Sequence, residues 1–131
     1  MHIRLNVIGA VEPTSGRFES IIVPQGYREV FQIFLDQFAK ATVDSPKKIH
    51  LVVDNASWHK AKCLNWHHIT PVYLPTYSPD LNPIEKLWAQ LKSKFFADWI
   101  GKNYNQLWDR LTLAICYFIN HENEVGKTCA F

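Results

Sequence analysis

The chain has 131 residues, of which 47% are hydrophobic and 14% aromatic, enough for one domain with one core, and it does not read as disordered. A net charge of +2 with a pI near 8.4 permits contact with nucleic acid without demanding it, so a DNA-binding surface needs local clustering of Lys and Arg. Cys63, Cys116 and Cys129 are far apart and form no C-x-x-C pair, which argues against a disulfide framework or zinc ribbon; with no signal-peptide layout and no apolar run near the ~18–20 residues of a membrane span, a cytoplasmic protein without membrane contact is expected.

Residues 3–11 are β-rich and run into a turn at Glu12-Pro13-Thr14-Ser15-Gly16. Residues 17–23 resume as a strand, so the two read as an antiparallel hairpin. From Tyr27 the apolar period changes: Val30, Phe31, Phe34, Leu35 and Phe38 fall at three- and four-residue steps, an amphipathic helix that ends before Ser45-Pro46. Residues 49–53 (IHLVV) are almost continuously apolar, the pattern of a strand covered on both faces. A short helix is expected around 57–64 and a strand at 69–74. The Pro-rich loop Pro75-Thr76-Tyr77-Ser78-Pro79 leads to a helix starting near Asn82, with Ile84, Leu87, Trp88, Leu91 and Phe95 on one stripe. A last helix covers about 104–120, and the weakly patterned tail 121–131 is expected to fray. The order β-β-α-β-α-β-α-α makes an α/β domain with a mixed sheet covered by helices.

Asp54 closes the buried strand, and ligands of α/β sheets bind at such strand ends. Asp-Asn also favours a plain turn, so position alone does not decide its role. Glu85 follows thirty-one positions later. Asn82 as N-cap, Pro83 at the first helical position and Glu85 two residues on resemble a capping box, and a carboxylate there suits the helix dipole. Lys86, Lys92, Lys94 and Lys102 gather around this helix, and Lys60 and Lys62 follow His59. They suit a phosphate track or a solvated surface equally well.

The stretches Leu51-Val52-Val53-Asp54-Asn55-Ala56-Ser57-Trp58-His59 and Leu74-Pro75-Thr76-Tyr77-Ser78-Pro79-Asp80-Leu81-Asn82-Pro83-Ile84-Glu85-Lys86-Leu87-Trp88 resemble the DDE superfamily endonucleases of IS630 transposases, bacterial relatives of Tc1/mariner. The resemblance covers about residues 3–100. It implies a ribonuclease H-like mixed sheet flanked by helices, and a site for two Mg²⁺ or Mn²⁺ ions in which Asp54 and Glu85 are catalytic ligands. Two such ions lie about 3.5–4 Å apart, so the carboxylates should stand roughly 4–8 Å from one another. Asn55, His59, Lys60, Lys86 and Lys92 are the expected substrate contacts. Tyr77, Ser78, Pro79, Asn82 and Pro83 are expected to shape the loop that aims Glu85.

The family's first Asp ends a strand upstream of the segment matching residues 3–11, and no Asp precedes Asp36 here. The expectation is therefore a partial catalytic core over residues 1–120, its first strand missing or replaced, followed by a tail at 121–131. It would be a fragment, a product of a split gene or a decayed copy, and inactive alone. The resemblance implies DNA as partner, a homo-oligomer, and an upstream polypeptide carrying the first Asp and a helix-turn-helix. The alternative is a catalytically dead remnant acting only as a DNA-binding or dimerising module. A sheet lacking its central strand also leaves an edge that recruits another chain.

Overall fold

A computed structural model of the chain describes residues 5–23, 28–53, 63–75 and 82–130. The fold is mixed α/β. It divides into two compact units, residues 1–24 with 83–131, and residues 25–82. The described strands form two separate two-stranded sheets, where a single mixed sheet was expected.

The first unit opens with strands β1 (Asn6–Glu12) and β2 (Arg17–Val23), paired antiparallel from Asn6 opposite Val23 to Glu12 opposite Arg17. Their turn closes when Gly16 N donates to Glu12 O at 2.8 Å. Gly16 has φ 77°, a left-handed conformation that only glycine adopts without strain. Helix α2 (Ile84–Leu91) continues into a π-helical turn at Lys92–Phe96. Its stripe buries Ile84, Leu87, Leu91 and Phe95, as the periodicity predicts, and Trp88 packs beside them. Helix α3 (Tyr104–Ile119) starts at Asn103, whose side chain accepts from Gln106 N at 2.9 Å, a hydrogen-bonded N-cap.

The tail does not fray. Glu122–Cys129 forms helix α4, and Val125 and Cys129 are fully buried in the core that holds Leu87 and Phe118. Burial of two side chains one helical turn apart supplies the stability that eight residues of local propensity would not. Tyr117 Oη donates to Glu124 Oε2 at 2.5 Å, and Lys94 Nζ donates to Tyr117 Oη at 2.6 Å and Glu124 Oε1 at 3.1 Å. This trio ties the π-helical turn, α3 and α4 together.

The second unit contains helix α1 (Arg28–Ala41) and the parallel strands β3 (Ile49–Val53) and β4 (Ile69–Tyr73). Phe31, Phe34, Leu35 and Ala39 of α1 are buried. The segment before β4 is clamped to this helix. Gln32 accepts from Asn65 N at 2.7 Å and donates to Asn65 O at 2.9 Å. His67 Nε2 meets Asp36 Oδ1 at 2.7 Å, His68 Nε2 meets Thr42 Oγ1 at 2.9 Å, and Trp66 packs edge-on against Phe31. The hydrogen bonds from His67 and Gln32 hold the Asp36 carboxyl below the usual carboxylate range.

Strand β3 departs from the expectation that both faces are covered. Val53 is buried, but His50 is exposed and Val52 is 38% exposed. Successive strand residues point to opposite faces, and one face of β3 is open among the described residues. Its apolar composition therefore overstates its burial.

Candidate active site

Helix α2 presents its first turn at a site fixed from beneath. Pro83 is buried with φ −55° and ψ −28°, already helical, because its ring holds φ in that range. The helix is counted from Ile84 with Pro83 in the capping position, one residue later than an Asn82 cap implies. Below it, Trp88 stacks edge-on against Phe18 at 5.7 Å. A Cβ at Gly9 would come within 2.8 Å of the Trp88 ring, so glycine in β1 is what lets the indole lie against the strand.

Glu85 stands on this support in the first turn, exposed to solvent. Among the described residues no donor or cation engages its carboxylate, whereas Glu19 pairs with Arg17, Asp36 with His67 and Glu124 with Lys94. A carboxylate next to the positive end of a helix, left without an internal partner, is available to an external cation. Among the described residues no three His, Cys, Asp or Glu gather into a metal-binding group.

The basic residues around α2 separate into two kinds. Lys86 Nζ donates to Ala130 O at 2.8 Å, at the C-terminal end of α4, and Lys94 is committed to Tyr117 and Glu124. Lys92 and Lys102 are exposed. The Lys86 bond has no signature in sequence, because it joins residues forty-four positions apart through a backbone carbonyl. The Lys94 cluster was equally hidden, since nothing local pairs position 94 with 117 and 124.

The other half of the expected site begins where β3 ends. Val53 is its last residue and is buried; it pairs with Tyr73, and Leu74 N donates to Val53 O at 2.9 Å. Parallel strands bring their C-terminal ends to the same side of a sheet, so the chain leaves β3 toward residue 54 at the end where β4 leads to Leu74 and Pro75. Asp54, Asn55, His59, Lys60, Tyr77, Ser78 and Pro79 lie outside the described residues, and with them the expected helix around 57–64 and the separation of Asp54 from Glu85.

The chain belongs to the DDE superfamily endonuclease family, which matches residues 1–107. It is also 29% identical over 102 residues to a protein of Sinorhizobium fredii (strain NBRC 101917 / NGR234) named Uncharacterized protein y4pE/y4sA, a match covering 77% of this chain and 75% of that one. No solved structure matches it. No helix of the described residues is long and apolar enough to cross a membrane.

Proposed function

We propose that the chain is part of the catalytic core of an IS630/Tc1-mariner-type DNA transposase with a ribonuclease H-like fold. The core would cleave phosphodiesters at transposon ends with water as nucleophile, then join the freed 3′-hydroxyl to target DNA. The observation that carries this reading is Glu85: an exposed carboxylate, without a partner among the described residues, on a helix seated by Trp88 over Gly9, within the segment that matches the endonuclease family.

Asp54 and Glu85 offer carboxylate oxygens, the donors that Mg²⁺ and Mn²⁺ prefer, and would hold two such ions, which activate the attacking oxygen and stabilise the leaving one. Asn55 and His59 would orient the Asp54 carboxylate or the phosphate. Lys60 and Lys92 would contact the DNA backbone, and Lys86 would do so with the N–H groups not given to Ala130. Tyr77, Ser78, Pro79, Asn82 and Pro83 would aim Glu85. The third carboxylate would be an Asp, and no Asp precedes Asp36 in this sequence; it would come from an upstream segment or a second polypeptide, and the working assembly would be a homo-oligomer on DNA.

A plasmid-nicking assay with Mg²⁺ or Mn²⁺ tests this. Residues 1–131 alone should nick weakly or not at all. Adding the upstream strand with its Asp should produce cleavage, and Glu85→Gln or Asp54→Asn should abolish it. Glu85→Gln should leave thermal stability within about 0.5 kcal/mol, as for other exposed substitutions. Cleavage that survives Glu85→Gln would remove Glu85 from the site. Strong cleavage by the chain alone, lost in Asp54→Ala, would mean that another of its own residues supplies the third ligand.

A further inference from the structure

Arg17 and Arg110, both among the described residues, are used differently. Arg17 pairs with Glu19 at 3.1 Å. Arg110, on α3, is held without a carboxylate. It is partly buried, and its Nε donates to Phe95 O at 2.6 Å. Its guanidinium carbon lies 5.8 Å from the centre of the Phe95 ring and 6.0 Å from that of Trp99. Trp99 is fixed in turn: its N donates to Phe96 O at 3.2 Å, and its ring meets Phe96 edge-on at 5.4 Å. A guanidinium carries five N–H groups, and the bond to Phe95 takes one. The groups on the two Nη atoms meet no acceptor among the described residues, and neither atom is sealed from solvent. No described carboxylate pairs with Arg110. A planar cation fixed at Nε and against two rings, with its outer fork open, has already lost much of the freedom that binding an anion would cost it.

A second cation stands close by. Lys102 N donates to Gln106 Oε1 at 2.8 Å, and Gln106 and Arg110, four positions apart, are neighbours on one face of α3. The Lys102 side chain is exposed, and no described group engages it. Lys94 differs, because Glu124 pairs with it. We propose that Arg110 and Lys102 form a seat for a backbone phosphate of DNA, the guanidinium fork taking two phosphate oxygens and the ammonium adding charge. The carbonyls at the C-terminal end of a helix repel an anion, so the Arg110 bond to Phe95 O also removes an obstacle to the phosphate. The seat rests on the reading of DNA as substrate and extends it away from the carboxylate. Phe95 follows Glu85 by ten positions, about 15 Å of helix. One strand of a duplex advances about 3.4 Å per nucleotide, which puts the seated phosphate roughly four or five nucleotides from the one at Glu85. Lys92, exposed and seven positions after Glu85 on the same face of α2, lies between them.

Fluorescence anisotropy of the full chain on a short labelled DNA duplex, without divalent metal and over a range of KCl concentrations, tests the seat. The logarithm of affinity falls with the logarithm of salt by about 0.9 for each phosphate neutralised. Arg110→Met keeps an apolar stem on the rings and removes the charge. It should make the slope shallower by about 0.9 and weaken binding roughly tenfold at low salt. Arg110→Lys keeps the charge and should keep the parent slope. Both variants lose the bond to Phe95 O, so both should melt earlier than the parent by a similar amount, and the slope separates a phosphate contact from a role in holding the turn. Lys102→Gln should make the slope shallower by the same amount without moving the melt, and it decides the matter even where Arg110→Met does not fold. Parent slopes in Arg110→Met and Lys102→Gln, or equal losses of slope in Arg110→Met and Arg110→Lys, would overturn the seat alone. A parent chain with no salt-dependent affinity for DNA would overturn the seat and, with it, the reading of DNA as this chain's substrate.

Discussion

Replacing Gly16 with alanine tests whether helix α4 is seated on the hairpin turn. Two costs combine at this position. Gly16 has φ 77°, where an L-residue with a Cβ loses about 1–2 kcal/mol. A Cβ there would also lie 1.7 Å from Glu122 O and 2.6 Å from its carbonyl carbon. The obstacle is backbone at the first residue of α4, so either the turn or the helix must move, and overpacking of this kind costs about 1–3 kcal/mol. Reduced freedom of the unfolded chain returns about 0.4–1 kcal/mol. The net loss is about 3 kcal/mol, a large share of the ~5–15 kcal/mol that a domain holds, and a drop in melting temperature of roughly 10 °C. Denaturant melts of Gly16→Ala and Gly16→Asn separate the two causes. Asparagine tolerates the left-handed conformation but still carries a Cβ, so it should lose nearly as much as alanine. A loss of only about 1 kcal/mol for alanine, with asparagine close to the parent chain, would refute the seating of α4.

Leu87→Ala should destabilise the chain by about 2–5 kcal/mol, because Leu87 is fully buried between α2 and the rest of the core; a loss below about 1 kcal/mol would show that α2 is not held there. Glu124 supplies a pH dependence. Hydrogen bonds from Tyr117, then from Lys94, hold its carboxyl below the usual carboxylate range. A depressed folded-state pKa gives stability that is present above the unfolded value and lost as pH falls through the folded one. Glu124→Gln should therefore lower stability near neutral pH and flatten the acid limb of stability against pH, and an unaltered acid limb in urea melts would count against the trio.

What the sequence disclosed tracks where local signals are strong. The stripe from Ile84 to Phe95 repeats at helical spacing over more than two turns, and its members are the residues that α2 and its π-helical turn bury. The hairpin was legible because alternating apolar residues flank a Pro- and Gly-bearing turn. Helix α4 was not legible. Its ENEVGKTC segment offers only Val125 and Cys129 as an apolar pair, too few for periodicity to register, and what fixes it is tertiary: the backbone of Gly16, the Lys86 bond to Ala130, and Tyr117 on Glu124. Strand β3 misled in the opposite direction. Apolar composition was read as burial, yet Val52 and its β4 neighbour Val72 share an exposed face. Of the residues expected at the site, Glu85 stands exposed in the first turn of α2, a position legible from the Asn-Pro start of its helix. The internal engagement of Lys86 and Lys94 depends on partners no local pattern could name.

The family match ends at residue 107, but the core that carries Glu85 does not. Leu111, Ala114, Ile115 and Phe118 of α3, with Val125 and Cys129 of α4, are buried in one cluster with Ile84, Leu87 and Leu91 of α2. Arg110 Nε reaches Phe95 O at 2.6 Å and secures a carbonyl of the π-helical turn. Lys86, the residue after Glu85, is bonded at the C-terminal end of α4. The orientation of the Glu85 helix is thus set from one side by Gly9, Phe18 and Trp88, within the family's segment, and from the other by residues beyond it. A chain cut at residue 107 would keep the family motif and expose the inner face of α2. The carboxylate would then stand on a helix with half of its support removed, so residues 108–131 belong to the scaffold of the proposed site although the family's shared pattern does not reach them.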